Sequence, residues 1–358
     1  VNYSEQDLNN MKVKLEAHLA NYDWNNITPT EYTKKIPELI QLLTQTNDSK
    51  NYESIFEALF NRYSYAGIQF ETTIAVASLM IDLLLDKNYP RKNWVLEILA
   101  NIHTSPIDTI VSPKVYEQIS RGIPSYQLYL NDYSPQMRHY VITILGNLHK
   151  HYDWALELLV KQLYIETTYQ NKQQILRSIN NLFEINSSIS DKYKLLALDT
   201  LLTTITNNKD KFLKVYSAII YTRIELINTP NEILAVIYDF IKKQNHITND
   251  DFILLNEIGI IFADLRENWL LGALDMVGTN VAASLFASKL IGKVFPITNT
   301  ISLFYRLVIL SQKQKEILEF LLEHPLLWHK KWGTLPNYGL EDTKESLTQQ
   351  VKSSIIIS

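Results

Sequence analysis

The sequence predicts an all-α protein, an α-solenoid of stacked antiparallel helix pairs repeating about every 37–46 residues. Three observations predict it. Asn93-Trp-Val-Leu-Glu-Ile-Leu-Ala-Asn-Ile-His103 realigns without a gap on His139-Tyr-Val-Ile-Thr-Ile-Leu-Gly-Asn-Leu-His149, with five identical positions and most others exchanged like for like. A second echo sets Pro37-Glu-Leu-Ile-Gln-Leu-Leu43 over Ser78-Leu-Met-Ile-Asp-Leu-Leu84 with the apolar positions in phase. Apolar residues also recur at i, i+3, i+4 and i+7 between short polar breaks, and almost no segment alternates with the period of two that a half-buried strand requires.

Read in order, the periodicity gives helices over 4–21, 30–45, 50–65 and 70–86, then 91–103, 113–130, 135–151 and 154–167. Further helices are expected over 172–185, 191–205, 209–227, 231–244 and 250–265, and from Trp269 onward. Two starts carry explicit entry chemistry: Ser134-Pro135 and Thr229-Pro230 set a capping side chain before a proline suited to the first turn. Paired helices of this length with short joints are what a repeat near 40 residues requires, because no single pair buries its own apolar face. One continuous array is therefore expected over 1–324, most regular over 30–206, followed by a C-terminal cap over 325–358. Trp328, Trp332, Gly333, Pro336, Gly339 and the Ile355-Ile356-Ile357 run suit such a cap, with aromatic anchoring of a partner as the sharper alternative.

Composition excludes several classes. Hydrophobic residues make up 46% and charged residues 20% of the 358, which is ordinary for a folded chain and far from a disordered one. A net charge of −4 provides no global attraction to nucleic acid or anionic lipid. With no cysteine, disulfides, thiolate nucleophiles and cysteine-based zinc sites are excluded, which fits a cytoplasmic location. The opening Val1-Asn-Tyr-Ser-Glu-Gln-Asp7 has neither a basic nor an apolar stretch, so no signal peptide is expected, although a processed precursor would read the same. The uncharged run 276–288 is too short to span a bilayer, and no membrane helix is expected.

Ser134-Pro-Gln-Met-Arg138, followed by Ile144-Leu-Gly-Asn-Leu148 and the paired leucines of Trp154-Ala-Leu-Glu-Leu-Leu-Val-Lys-Gln-Leu163, resembles a HEAT repeat. The segments 36–43 and 75–84 are similar to the second helix of that unit. The resemblance to HEAT and armadillo-like proteins implies architecture and a tendency to bind other macromolecules; the repeat itself brings no catalytic residues. It also implies two specific readings. One is a bacterial immunity or antitoxin-like protein that sequesters an effector. The other follows the HEAT-like alkylpurine DNA glycosylases, with Trp94, Asp153, Trp154, Arg138 and Arg177 available for a lesion-binding groove. The acidic balance disfavours nucleic acid, and repeated arginines more simply stabilise the loops between units.

No metalloprotease helix, phosphate-binding loop, dinucleotide fingerprint or serine elbow occurs, so no enzyme activity, cofactor or metal is expected. His149 and His151, with His103 at the repeat-equivalent position, form the most tempting metal or acid–base group. The simpler account is that these histidines, with Asn101 and Asn147 two residues before His103 and His149, bond exposed carbonyls at helix ends. Gly259, Gly272, Gly278 and Gly292 fall in one stretch, read as tight helix packing, with a break that binds a small ligand as the alternative. Tyrosine is abundant, 21 against 12 phenylalanines, and many lie near helix ends, where a large ring with a polar tip suits an interface. The expected partner is a protein, and Tyr126, Tyr129, Tyr133, Arg138, Tyr152 and Arg177 are the candidate partner-binding residues.

Overall fold

The computed structural model describes residues 4–24, 35–45, 49–65, 68–69, 71–103, 112–185, 189–243, 247–265, 267–277, 279–295, 309–328, 340, 343–353 and 355–357. Among them the chain is all-α, with eighteen helices packed largely as sequential neighbours. Contacts divide it into two compact units, Val1–Ala197 and Leu198–Ser358. The division falls inside a helix.

The first unit holds α1 (Glu5–Leu19), α2 (Ile36–Gln45), α3 (Ser49–Tyr63), α4 (Glu71–Leu85), α5 (Lys92–His103), α6 (Ser112–Ser120) and α7 (Ile123–Leu130). It continues through α8 (Pro135–Leu145), a 3-10 turn at His149–His151, α9 (Tyr152–Ile165) and α10 (Tyr169–Ile185). Ser64–Tyr65 and Ile68–Gln69 make a two-residue antiparallel ladder, β1 and β2. Helices α4 with α5, α7 with α8, and α9 with α10 pack as sequential pairs, while α5 packs on α8 and α8 on α10. The eleven-residue echo thus lies on α5 and on α8 with the four residues after it, two helices that touch. Both copies bury the same positions: Val95 and Val141, Leu96 and Ile142, Ile98 and Ile144, Leu99 and Leu145, and Ile102 and Leu148 are all 0% exposed. Each such side chain contributes about 1.5–3 kcal/mol on leaving water, so the duplicated pattern supplies much of the interhelical core. The second echo behaves differently, since α2 and α4 both pack on α1.

Two long expected helices are broken. The 113–130 segment divides at Arg121-Gly122, where Pro124 enters the first turn of α7 and a side chain on Gly122 would meet the Tyr126 hydroxyl at 2.5 Å. The 135–151 segment ends at Leu145, and residues 149–151 form a separate 3-10 turn.

Helix α11 (Asp191–Asn207) contains the division between units. The second unit holds α12 (Lys211–Glu225), a 3-10 turn at Leu226–Asn228, α13 (Asn231–Lys242), α14 (Asn249–Leu265), α15 (Glu267–Met276) and α16 (Asn280–Val294). Here α12 packs on α13 and α14, α14 on α15 and α16, and α13 on α15. Strand β3 (Ile309–Ser311) leads into α17 (Gln312–Glu323), and α18 (Lys344–Ser353) precedes β4 (Ile355–Ile357). The two strands pair in parallel, a ladder the helical periodicity did not reveal. Three consecutive β-branched isoleucines favour that extended pairing over a further helical turn. Of the expected cap residues, Trp328 donates to Leu321 O at 2.8 Å, whereas Trp332, Gly333, Pro336 and Gly339 lie outside the described residues.

The cap expected at Ser134 is present, its hydroxyl accepting from Met137 N at 3.5 Å. At Thr229 it is not. Pro230 takes an extended ψ of 145° in the capping position, and the Thr229 hydroxyl donates back to Leu226 O at 2.7 Å. Threonine side chains compete locally for the backbone in this way, and the preceding 3-10 turn wins.

Candidate functional site

The best-defined polar construction in the first unit joins the α7–α8 and α9–α10 loops. Arg138, one turn into α8, donates Nε to Glu166 Oε2 at 2.8 Å and Nη2 to Oε1 at 2.7 Å. Its remaining nitrogen donates to Asp132 O at 2.8 Å and Tyr133 O at 3.1 Å, so one guanidinium holds both loops. Glu166 ends α9 and is also bonded by Thr167 N, Thr168 N, the Thr168 hydroxyl and Gln162 Nε2, at 2.9 to 3.2 Å. Burial alone would raise this carboxyl. The Arg138 fork and the donors from Thr168 and Gln162 outweigh it and hold Glu166 far below the usual carboxylate range. Asn171 extends the clamp by donating to Pro135 O at 2.9 Å, tying α10 to the start of α8.

Large apolar side chains stand exposed around this clamp. Tyr133 is 95% exposed, Leu128 68%, Ile165 63%, Tyr164 56% and Tyr169 37%. They belong to the end of α7, the α7–α8 loop, the end of α9 and the start of α10, the segments that Arg138, Glu166 and Asn171 bring together. Exposed aromatic and aliphatic side chains thus flank the two clamped loops, residue types suited to an interface.

The six expected partner-binding residues fare unequally. Tyr133 sits on this surface, and Tyr129 is half-buried beside it. Burial, then the nearby Asp132, pushes the Tyr129 phenol upward. Two placements are corrected. Tyr126 is completely buried, its hydroxyl donating to Ile119 O at 2.8 Å, because Gly122 leaves room for the ring. Arg138 is buried too, with its donors directed at Glu166 and the loop carbonyls. Tyr152 is half-buried at the opposite end of α9 from Tyr164, about 18 Å away along the helix axis. Arg177 is half-buried, eight residues beyond Tyr169 and about 12 Å along α10. Sequence reasoning missed Leu128, Ile165 and Glu166. The usable signal was an acidic residue followed by two threonines, Glu166-Thr167-Thr168, which can gather its own backbone donors before the next helix.

The histidine group resolves into helix-end chemistry. Asn101 donates to Glu97 O and Asn147 to Thr143 O, each at 2.9 Å, so the two repeat copies use the same bond four residues back. His149 Nδ1 lies 3.3 Å from Asn147 O, and its ring is 4.4 Å from that of Tyr116. Burial lowers the His149 imidazole. The His103 side chain lies outside the described residues. Among the described residues no three histidine, aspartate or glutamate side chains converge as metal ligands would.

In the second unit the glycine-rich stretch is tight at one point: a Cβ on Gly259 in α14 would lie 3.3 Å from the Phe286 ring of α16. Gly272 has open space instead, and Gly278 lies outside the described residues. Among the described residues no helix is long and apolar enough to cross a membrane.

Comparison with known protein families returns no match, and comparison with curated proteins returns none either. Two solved engineered proteins, both crystal structures from the Northeast Structural Genomics Consortium, are similar at a low level. One is 15% identical with a TM-score of 0.37, covering 71% of this chain and 97% of that one. The other is 13% identical with a TM-score of 0.39, covering 99% of this chain and 97% of that one. Similarity this weak carries no argument about function.

Proposed function

We propose that this chain is a non-catalytic, HEAT-like α-solenoid scaffold that holds a protein partner on the edge built from the α7–α8 and α9–α10 loops. The observation that carries the reading is Tyr133, almost fully exposed while its own carbonyl is fixed by Arg138. An aromatic side chain on a backbone that is already ordered loses little entropy on binding, and Leu128, Tyr164, Ile165 and Tyr169 enlarge the apolar area. The HEAT-like part of the proposal is supported by the contact of α5 with α8, the helices that carry the sequence echo. A narrower form, resting on the resemblance alone, is an immunity or antitoxin-like protein that sequesters an effector in the cytoplasm of a bacterium.

The nucleic-acid or glycosylase alternative requires an exposed tryptophan and free arginines. Trp94 is buried and the Arg138 charge is neutralised by Glu166, while Trp154 and Arg177 are half-buried. A photo-crosslinking amino acid at position 133 tests the proposal in a lysate of the source cell. The expected outcome is a discrete protein adduct that disappears when Tyr164 and Ile165 are replaced by serine. Adducts indifferent to those changes, or salt-sensitive duplex DNA binding in their place, would overturn it.

A further inference from the structure

Helices α3, α5 and α8 converge on one carboxylate. Glu97, midway along α5, accepts from the Tyr52 hydroxyl of α3 at 2.5 Å and is also hydrogen-bonded by the Tyr140 hydroxyl of α8. Gln136, one turn before Tyr140, donates Nε2 to the Tyr140 oxygen at 2.8 Å, which leaves the proton of that hydroxyl for Glu97. Tyr52, Glu97 and Tyr140 are half-buried and Gln136 is exposed, so the group is anchored by packed helices and still reached by solvent.

This carboxylate has no counter-ion. Glu166, likewise fixed across helices, is neutralised by Arg138, whereas among the described residues no lysine, arginine or histidine pairs with Glu97. Lys92, five residues before it, directs its ammonium to the Leu83, Leu84 and Asp86 carbonyls. The local field is negative: burial, then the Glu97 charge, pushes the Tyr140 phenol upward. A half-buried charge left without an opposite one is costly, and a partner's cation would relieve that cost. The chemistry then selects the cation. An ionised carboxylate offers about four lone-pair positions, the two phenols fill two, and a guanidinium can fill the other two with parallel donors. An ammonium fills one and is more strongly hydrated, which disfavours it beside phenol rings. One carboxylate is too few ligands for a metal ion, and no three acidic or histidine side chains converge among the described residues.

We infer that Glu97, steadied by Tyr52 and Tyr140, receives an arginine side chain presented by a protein partner. The site lies on helix faces and uses none of the residues assigned to the α7–α8 and α9–α10 edge, so either assignment can fail without the other.

Tyrosine-ring NMR of the full chain at low ionic strength tests it, with the two ring signals assigned through Y52F and Y140F. The probes are the blocked amide of arginine, those of lysine and of uncharged citrulline, and free arginine, whose own carboxylate the site should repel. Blocked arginine is expected to shift both rings saturably, with a dissociation constant on the order of millimolar, and to bind at least about fivefold more tightly than citrulline. Free arginine and blocked lysine should both bind more weakly than blocked arginine. E97Q, which keeps an acceptor for the phenols, should weaken the arginine probe roughly fivefold and erase its preference over citrulline. A thermal melt of E97Q checks that the fold is retained. The control E319Q, at an exposed position in the second unit, should bind as the parent does. Absence of saturable shifts at Tyr52 and Tyr140, equal affinity for citrulline or lysine, tighter binding of free arginine, or unchanged affinity in E97Q would each overturn the assignment.

Discussion

Gly146 at the end of α8 lies directly against Ser178 of α10: a Cβ placed on the glycine would sit 2.5 Å from the Ser178 Cβ and 2.7 Å from its Cα. Ser178 in turn donates its hydroxyl to Ile142 O at 2.9 Å, so at this point only the small serine side chain lies between the two helices. Gly146 has φ −61°, which any residue adopts, so the constraint is contact and not backbone conformation. The repeat-equivalent residue in α5 is Ala100, buried, which shows that the demand for glycine belongs to the α8–α10 contact and not to the repeat.

Gly146→Ala is therefore expected to destabilise the protein by about 1–3 kcal/mol, as overpacking does, despite the better helix propensity of alanine. Denaturant unfolding measures the loss. Adding Ser178→Gly should return part of it, because the clash is with that residue; a double-mutant cycle with no coupling would refute the contact.

Glu166→Gln is expected to cost about 3–5 kcal/mol, the range seen when one partner of a buried ion pair is removed and the other charge is left behind. The pH dependence has a defined sign. Because the folded carboxyl is held below its ordinary 4.5, its contribution is complete above pH 4.5 and is lost as pH falls from there toward the much lower folded value. The stability difference between parent and variant should shrink steadily below pH 4.5. A difference that stays constant from pH 6 to the acid limit of folding would remove Glu166 from this role.

How far the sequence is legible follows from the range of the interactions involved. Helix positions and core faces come from a local period, and the duplicated Val95/Val141 to Ile102/Leu148 set was readable because each copy repeats the same short-range pattern. The two asparagine bonds at Asn101 and Asn147 were readable for the same reason. What failed depended on distant partners. Arg138 has the loop-stabilising role open to a repeated arginine, but its partner Glu166, 28 residues on, was not readable, and Tyr126, expected at a partner surface, is buried beside Gly122. The candidate surface was half visible: Tyr133 is a tyrosine in a polar loop, whereas Ile165 ends an amphipathic helix and reads as core.

Lys92 provides a test in the alkaline range. Its ammonium donates to Leu83 O, Leu84 O and Asp86 O at 2.6, 2.8 and 2.5 Å, closing the C-terminal end of α4. Burial nevertheless pushes its pKa down to about 8 from 10.5, with Asp86 opposing. Between those values the folded protein binds fewer protons than the unfolded chain, so stability should rise with pH across that window. In Lys92→Met the rise should vanish while the protein is less stable at pH 7, where the three carbonyls lose their donor. Unfolding midpoints at pH 7, 8.5 and 10 check both signs, and an unchanged rise in the variant would assign it to another group.

Tyr133 separates binding from stability. A side chain 95% exposed contributes almost nothing to the folded core, and the bond that fixes its loop uses its backbone oxygen, which any residue supplies. Tyr133→Ser should therefore change stability by less than about 0.5 kcal/mol, the usual range for surface substitutions. The same change should cost a captured protein partner about 2 kcal/mol or more in affinity if this ring is a central anchor. Ile165→Ser, at a helix end and 63% exposed, is expected to behave alike, and the pair together should abolish capture. If both variants unfolded at markedly lower denaturant, the apolar surface would be part of the fold and not an interface; if both were stable and held the partner as the parent does, the partner would sit elsewhere on the chain.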